Sequence, residues 1–151
     1  RLRGVVLRVK SNHDFGTSNL LQQLVRSALA SGVYDRHLEV LRARYAAKAG
    51  VMCRALREHF PRKIEWREPT GGLYVWARLP RRIRTGVGSK LFKSALRHDV
   101  LYVPGDLCYA EAPRRRRPDH EMRISYGGEP ASKLPEGVAR LGQTLKELMT
   151  A

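Results

Sequence analysis

Residues 69–79 read PTGGLYVWARL, a turn followed by a strand, and they carry the clearest structural signal in the chain. Proline and the glycine pair favour a turn over Pro69–Gly72. Over Leu73–Leu79 the hydrophobic pattern has a period of two, and Pro80 ends the run. We therefore expect a well-defined strand here, with the other elements arranged around it.

The segments before this strand predict helices. The longest covers about Tyr34 to Phe60, where Pro61 stops it, and a shorter one covers Leu20–Ala30. Residues 1–10 resemble the end of an amphipathic helix. The apolar stripe of the long helix consists of Leu38, Leu41, Tyr45, Ala49, Met52 and Leu56. Thr17 or Ser18 is expected to cap the shorter helix and Gly32 to close it.

Beyond this part of the chain the pattern alternates between strands and helices. Short strands are predicted at Ile64–Trp66, Val100–Val103 and Glu121–Tyr126, and helices at Ser89–His98 and from Ser132 onward. The order ααββαββα favours an α+β fold. We expect a two-layer sandwich in which a small antiparallel or mixed sheet is covered by helices, chiefly the long helix and the last one.

The chain is strongly basic, with 29 Lys and Arg against 14 Asp and Glu and a formal charge of +15. Such a charge is compatible with nucleic-acid binding. The basic residues are spread over nearly every segment, however, and the densest block, Arg114–Arg117, lies between two prolines. An exposed loop on a solvated basic surface is therefore the favoured interpretation, and nucleic acid is not expected as a partner.

The remaining composition points to a single intracellular domain of 151 residues. No apolar run approaches the ~20 residues of a membrane span, and no signal peptide opens the chain. Cys53 and Cys108 lack CxxC spacing, which suits the reducing cytoplasm. Cys53, near the apolar stripe of the long helix, is expected to be a small core residue.

Most candidate chemistry has a structural explanation. Gly86–Lys90 ends like a phosphate-binding loop, but Arg81–Arg84 precedes it where a buried strand is required, so a helix start capped by Ser89 or Gly88 is expected. The five histidines show no metal-ligand spacing, and no serine lies in a nucleophile elbow.

Arg123 is the most informative single residue. It falls in the middle of a predicted strand, on the face opposite Met122 and Ile124 and beside Ser125. A guanidinium held on a rigid strand can bind a carboxylate through two parallel hydrogen bonds. By strand pattern alone, an exposed arginine on a solvated face explains it better.

Four segments, in order, resemble class I aminotransferases that use pyridoxal phosphate (PLP). Residues 69–76 are similar to the Pro-x-Gly-Gly-[Met/Leu]-[Phe/Tyr]-x-Trp motif of that family, and residues 100–105 resemble its strand ending in Pro-Gly. Residues 122–126 resemble its [Leu/Met]-Arg-[Ile/Leu]-[Ser/Asn]-[Phe/Tyr] strand, and residues 136–141 its Glu-Gly-[Ile/Val]-x-Arg-Leu helix. Lys10–Gln22 resembles the stretch after the cofactor lysine. The 2-aminoadipate aminotransferase group, with the related halves of MocR-type regulators, is the most similar branch.

The resemblance implies that residues 1–151 form the C-terminal small domain of a fold type I enzyme, with 1–33 as a connecting segment. The PLP-binding large domain and the Schiff-base lysine are expected outside this chain, so that it is inactive alone. Arg123 is implied to bind the substrate α-carboxylate. Phe15, Thr17 and Ser18 are implied to approach the active site across a dimer. The parent is implied to be a cytoplasmic homodimeric transferase of amino acid metabolism, acting between an amino acid and a 2-oxo acid.

Two alternatives stay open. In a MocR-type regulator the same domain senses an effector for a DNA-binding domain, with Arg123 unchanged. In the third interpretation the chain is an independent basic module that binds nucleic acid or an acidic partner through Arg114–Arg117.

Overall fold

A computed structural model of the chain describes residues 2–111 and 116–150. The chain divides into two compact units, residues 1–42 and residues 43–151. The first contains helices α1 (Leu2–Asp14) and α2 (Asn19–Ala30) and the beginning of α3 (Val33–His59). The second contains the rest of α3. It is followed, in chain order, by β1 (Glu65–Trp66), β2 (Tyr74–Arg78), α4 (Lys90–Arg97), β3 (Val103–Pro104), β4 (Glu121–Ser125) and α5 (Leu134–Thr150).

The second unit confirms the expected α+β architecture. Its four strands form one antiparallel sheet in the order β1-β2-β4-β3. One face of the sheet, carrying Val75, Ala77, Met122 and Ile124, belongs to a single apolar core. The helices α3, α4 and α5 contribute the other half of that core, among them Met52, Leu56, Leu91, Phe92, Val138, Leu141 and Leu145. Helix α4 therefore joins the two helices predicted to cover the sheet.

The predicted stripe of α3 becomes more buried along the helix. Leu38 and Tyr45 are half-buried, whereas Met52 and Leu56 lie inside the core. Cys53 is also buried, which confirms its prediction as a core residue, and burial raises the pKa of its thiol. Cys53 and Cys108 are both free.

Several predicted boundaries were wrong. The first helix continues beyond residue 10 to Asp14, and the turn begins only at Phe15 and Gly16, which both have positive φ. The third strand is reduced to Val103–Pro104. The predicted first residue, Val100, is not part of the strand. Its amide donates a hydrogen bond to the carbonyl of Ala95 at the end of α4, at 3.0 Å.

The predicted helix caps had mixed outcomes. Ser89 caps α4, since its hydroxyl accepts a hydrogen bond from the Phe92 amide at 3.1 Å. Ser18 occupies the N-cap position of α2 without such a side-chain bond. The last helix begins at Leu134 rather than at Ser132, because a 3-10 turn over Ala131–Lys133 leads into α5.

No helix in residues 2–111 or 116–150 has the length and apolar character needed to cross a bilayer.

Candidate functional site

The sheet face opposite the core carries aromatic and charged side chains. Side chains alternate between faces along a strand, so burial of Val75 and Ala77 in β2 places Tyr74, Trp76 and Arg78 on the other face. In β4 the same alternation places Glu121, Arg123 and Ser125 there. The register pairs these residues in rows, Arg78 with Glu121, Trp76 with Arg123, and Tyr74 with Ser125.

Arg123 lies at the centre of this face. Its backbone is opposite Trp76 on one side and Val103 on the other. The guanidinium carbon lies 4.3 Å from the ring centroid of Tyr74, a cation–π distance. Its Nε is buried and, among the described residues, has no hydrogen-bond partner. Arg123 therefore presents a cation that is only half exposed and whose polar atoms are incompletely satisfied.

A second arginine on the same face is neutralised. The Nε of Arg78 donates to Oε1 of Glu121 at 2.9 Å, and the hydroxyl of Tyr109 donates to Oε2 at 2.5 Å. Glu121 is only 2% exposed. Burial by itself raises the pKa of this carboxyl, but the hydrogen bonds from Tyr109 and Arg78 outweigh it and leave the pKa below its ordinary value.

Aromatic side chains flank the two arginines. The rings of Trp76 and Tyr109 meet edge to face, with centroids 6.1 Å apart. Tyr74 covers one side of the Arg123 guanidinium. A guanidinium beside the ring of Tyr74, with a nitrogen that lacks a hydrogen-bond partner, suits an anion with a planar, two-oxygen head, because such a group accepts two hydrogen bonds from the guanidinium fork.

The other predicted site residues lie in the first unit. Phe15 is 94% exposed. The Thr17 hydroxyl accepts a hydrogen bond from Lys10 Nζ at 2.5 Å, and Ser18 precedes α2. Arg123 belongs to the second unit, and an active-site role for Phe15, Thr17 and Ser18 stays a prediction.

The arginine block is described only in part. Arg114 and Arg115 lie outside the described residues. Arg116 is exposed, whereas Arg117 contacts Glu111 at 3.2 Å and the Asp106 carbonyl at 3.5 Å. At least one of the four arginines is therefore engaged within the chain.

Sequence reasoning missed three members of this face: Arg78, Glu121 and Tyr109. The first two share the strand phase of Trp76 and Arg123, so the alternation that placed Arg123 could also have located them. Tyr109 follows a 3-10 turn over Gly105–Cys108 and no periodicity marks it. Only the fold brings its hydroxyl to Glu121.

No family model matches the chain. Among curated proteins, it is 36% identical over 142 residues to an uncharacterised aminotransferase of Saccharolobus solfataricus, covering 93% of this chain and 34% of that protein. It is also 28% identical over 141 residues to an uncharacterised HTH-type transcriptional regulator of Bacillus subtilis, covering 93% of the chain and 27% of the regulator. The chain spans about a third of the length of the aminotransferases it matches.

Solved structures give the same result for the fold. A multiple substrate aminotransferase from Thermococcus profundus matches with a TM-score of 0.83 at 30% identity, covering 94% of this chain and 34% of that one. The α-aminoadipate aminotransferase of Thermus thermophilus, complexed with N-(5'-phosphopyridoxyl)-L-leucine, matches with a TM-score of 0.79 at 34% identity, covering 95% and 35%. The two-layer arrangement of residues 43–151 is therefore a known architecture.

Proposed function

This chain is homologous to the C-terminal small domain of PLP-dependent aminotransferases, and we propose that it is the substrate-closing domain of such an enzyme. The parent enzyme transfers an amino group between an amino acid and a 2-oxo acid. Its PLP-binding large domain and Schiff-base lysine lie outside this chain, which is inactive alone. The parent acts as a cytoplasmic homodimer in which Phe15, Thr17 and Ser18 approach the active site.

The observation that carries the proposal is the state of Arg123. A buried guanidinium nitrogen without a hydrogen-bond partner costs free energy, and a carboxylate can satisfy it. The rigid strand pair β2–β4 fixes where Arg123 stands, and the ring of Tyr74 restricts how it moves. An α-carboxylate bound here is held in one orientation.

The residues of this chain fit a substrate carboxylate rather than the cofactor itself. When bound in the parent enzyme, PLP supplies the electron sink for the chemistry at the amino acid Cα. Arg123 binds and orients the carboxylate of the substrate. The ring of Tyr74 covers one side of the guanidinium and reduces its contact with water, which strengthens the ion pair.

Replacing Arg123 in the PLP-containing parent tests this proposal. Arg123→Gln removes the guanidinium fork and should lower kcat/KM about 100-fold, since a charge-assisted bidentate contact is worth roughly 3 kcal/mol. The matched control is Arg97→Gln, which removes the same charge from an exposed position at the end of α4. Unchanged steady-state kinetics in Arg123→Gln, with the control also normal, would reject Arg123 as the carboxylate anchor.

Similarity to the HTH-type regulator supports a second candidate, an effector-sensing domain of a MocR-type regulator. There Arg123 binds the carboxylate of an effector rather than of a turned-over substrate. Arg123→Gln should then abolish the effect of the amino acid on DNA binding by the parent, measured by fluorescence anisotropy, while effector-free DNA binding persists. A winged helix in the parent, together with the absence of transamination, separates the regulator from the enzyme.

A further inference from the structure

We infer that Arg78 is a positioning residue for carboxylate binding, because it holds the Glu121 carboxylate and so leaves Arg123 free for an external anion. This inference rests on the proposed role of Arg123. It concerns a residue that does not itself touch the substrate.

Glu121 is placed to compete with that anion. It precedes Arg123 by two residues on β4, and both side chains project from the same face of the sheet. Residues two apart on a strand lie only about 7 Å apart along it, which a glutamate and an arginine can bridge. An intramolecular carboxylate at this distance is permanently present, whereas a substrate must bind from solution.

In the structure the Glu121 carboxylate is hydrogen-bonded to Arg78 and Tyr109 and not to Arg123. Arg78 stands directly across the strand pair and donates to Oε1, while Tyr109 donates to Oε2. Both carboxylate oxygens therefore have a partner. Glu65 lies 3.8 Å from Nη1 of Arg78, so the arginine is held between two acids.

The Arg123 side chain extends toward Tyr74, away from Glu121. Its guanidinium lies over the ring of Tyr74. Along the strand pair, the Trp76–Arg123 row lies between the row that contains Tyr74 and the row formed by Arg78 and Glu121. Within the described residues Arg123 forms no ion pair. The face thus holds two arginines and one buried glutamate, and the pairing that is formed leaves Arg123 without an anion.

Loss of Arg78 should reverse this arrangement. The Glu121 carboxylate would then be a buried charge with one hydrogen bond, and Arg123 is the cation on the same strand face that can pair with it. The apparent affinity of Arg123 for an external carboxylate falls in proportion to the fraction of arginine that stays free. If Glu121 occupies Arg123 about nine-tenths of the time, binding weakens about tenfold.

A double-mutant cycle on the 151-residue chain tests the inference without any catalytic activity. The probe is acetate, and the readout is the NMR signal of the Arg123 Nε–H group during titration at about pH 7.5. Arg78→Gln should weaken acetate binding about tenfold, and adding Glu121→Gln should restore it to within about twofold of the parent value. Arg78→Lys, which keeps a cation against Glu121, should bind acetate like the parent.

In the PLP-containing protein, Arg78→Gln should raise KM for the amino acid and leave kcat nearly unchanged. Adding Glu121→Gln should lower KM again. A merely structural role for Arg78 predicts that the double variant is at least as impaired as Arg78→Gln. Should Arg78→Gln fail to fold, as judged by circular dichroism, Tyr109→Phe takes its place in the cycle, because it also removes one donor from the Glu121 carboxylate. Acetate binding as tight in Tyr109→Phe as in the parent would then contradict the inference.

The Arg123→Gln variant distinguishes an incorrect role of Arg78 from an incorrect role of Arg123. If it removes the acetate response and raises KM, yet Arg78→Gln binds normally or the double variant is not rescued, this inference is overturned and the proposed function stands. If Arg123→Gln changes neither readout, the proposed function itself is wrong.

Discussion

Glu121 is fixed through its backbone as well as its side chain. Its carbonyl accepts a hydrogen bond from the buried Thr85 hydroxyl at 2.6 Å. The α-carbon of Gly105 packs against the same peptide, so that a Cβ added at Gly105 would lie 2.6 Å from the Glu121 carbonyl oxygen. The position of the Arg78–Glu121–Tyr109 group therefore depends on a glycine at residue 105.

Gly105→Ala should destabilise the protein by about 2 kcal/mol, because the new methyl group meets backbone atoms that cannot move independently. The measurement is the free energy of unfolding in urea. Gly86→Ala is the matched control, since its Cβ would make an ordinary contact 3.9 Å from Asp106 Oδ2. Equal stability of the two variants would show that the contact at residue 105 relaxes without cost.

The lowered pKa of Glu121 predicts how its contribution to stability depends on pH. In the folded state the pKa lies below the ordinary 4.5, so the carboxylate stabilises the fold above that pH. The contribution is lost as the pH falls from 4.5 through the folded-state pKa. Urea unfolding between about pH 6 and about pH 3 should therefore show a steeper loss of stability for the parent chain than for Glu121→Gln. Parallel curves would contradict the prediction.

Sequence reasoning located Arg123 correctly but not its surroundings. The alternation of Met122 and Ile124 with polar residues was enough to place Arg123 on the open face. The place of its guanidinium over Tyr74 and the missing hydrogen-bond partner of its Nε could not be predicted, because both depend on the β2–β4 register. Pairing of Glu121 with Arg78 rather than Arg123 depends on the same register.

Helix α5 comes very close to the end of α3 at one residue. A Cβ added at Gly142 would lie 2.6 Å from the carbonyl oxygen of His59, the last residue of α3. Only a glycine allows the body of α5 to come this near the end of α3. Leu141 and Leu145, on either side, are fully buried, so α5 cannot move outward without opening the core.

Gly142→Ala should consequently lower the thermal midpoint, by roughly 5 °C or more, as α5 is pushed away from α3. Gly137→Ala in the same helix is the control, because nothing lies within 4 Å of the added Cβ. It should be neutral or stabilising by up to about 1 kcal/mol, as alanine favours a helix more than glycine. A midpoint for Gly142→Ala equal to that of Gly137→Ala would refute the close approach.

The order of elements was predictable because each has a strong period of its own, about 3.6 in α3 and α5 and two in β2 and β4. The predicted strand at Val100–Val103 is present only from Val103 onward, for a reason that hydrophobic periodicity does not show. Val100 is tied to the end of α4, and the ring of Tyr102 is buried edge to face against Phe92 of that helix, at 5.4 Å. Contacts with α4 thus override an apolar run that by itself favours a strand.

In the molecule as a whole, the apolar core is concentrated in one unit. Every described residue of the core cluster, including those half-buried against it, lies at or after Ala49. Large apolar side chains of α1 and α2 are exposed, namely Leu2, Val5, Val6, Leu7, Val9, Leu20, Leu21, Leu24, Val25 and Leu29. The second unit therefore contains what is needed for cooperative folding.

A chain beginning at Ala43 should keep a cooperative thermal transition and the near-ultraviolet circular dichroism of Trp66 and Trp76. Residues 1–42 alone should show no such transition, since their described apolar side chains have no core to enter. Loss of the transition in the longer fragment would show that residues 1–42 are required for folding.

The register between β2 and β4 also determines when the site can form. Arg78 and Glu121 are 43 residues apart in sequence, although they are direct neighbours in the sheet. During synthesis β2 can pair with β1 early, but its other edge waits for β4, which at roughly 5–20 residues per second emerges several seconds later. Closing this long loop costs conformational entropy before the contacts between β2 and β4 can stabilise the chain. During synthesis, Arg123 can therefore reach its place beside Trp76 only after the loop between Arg78 and Glu121 has emerged.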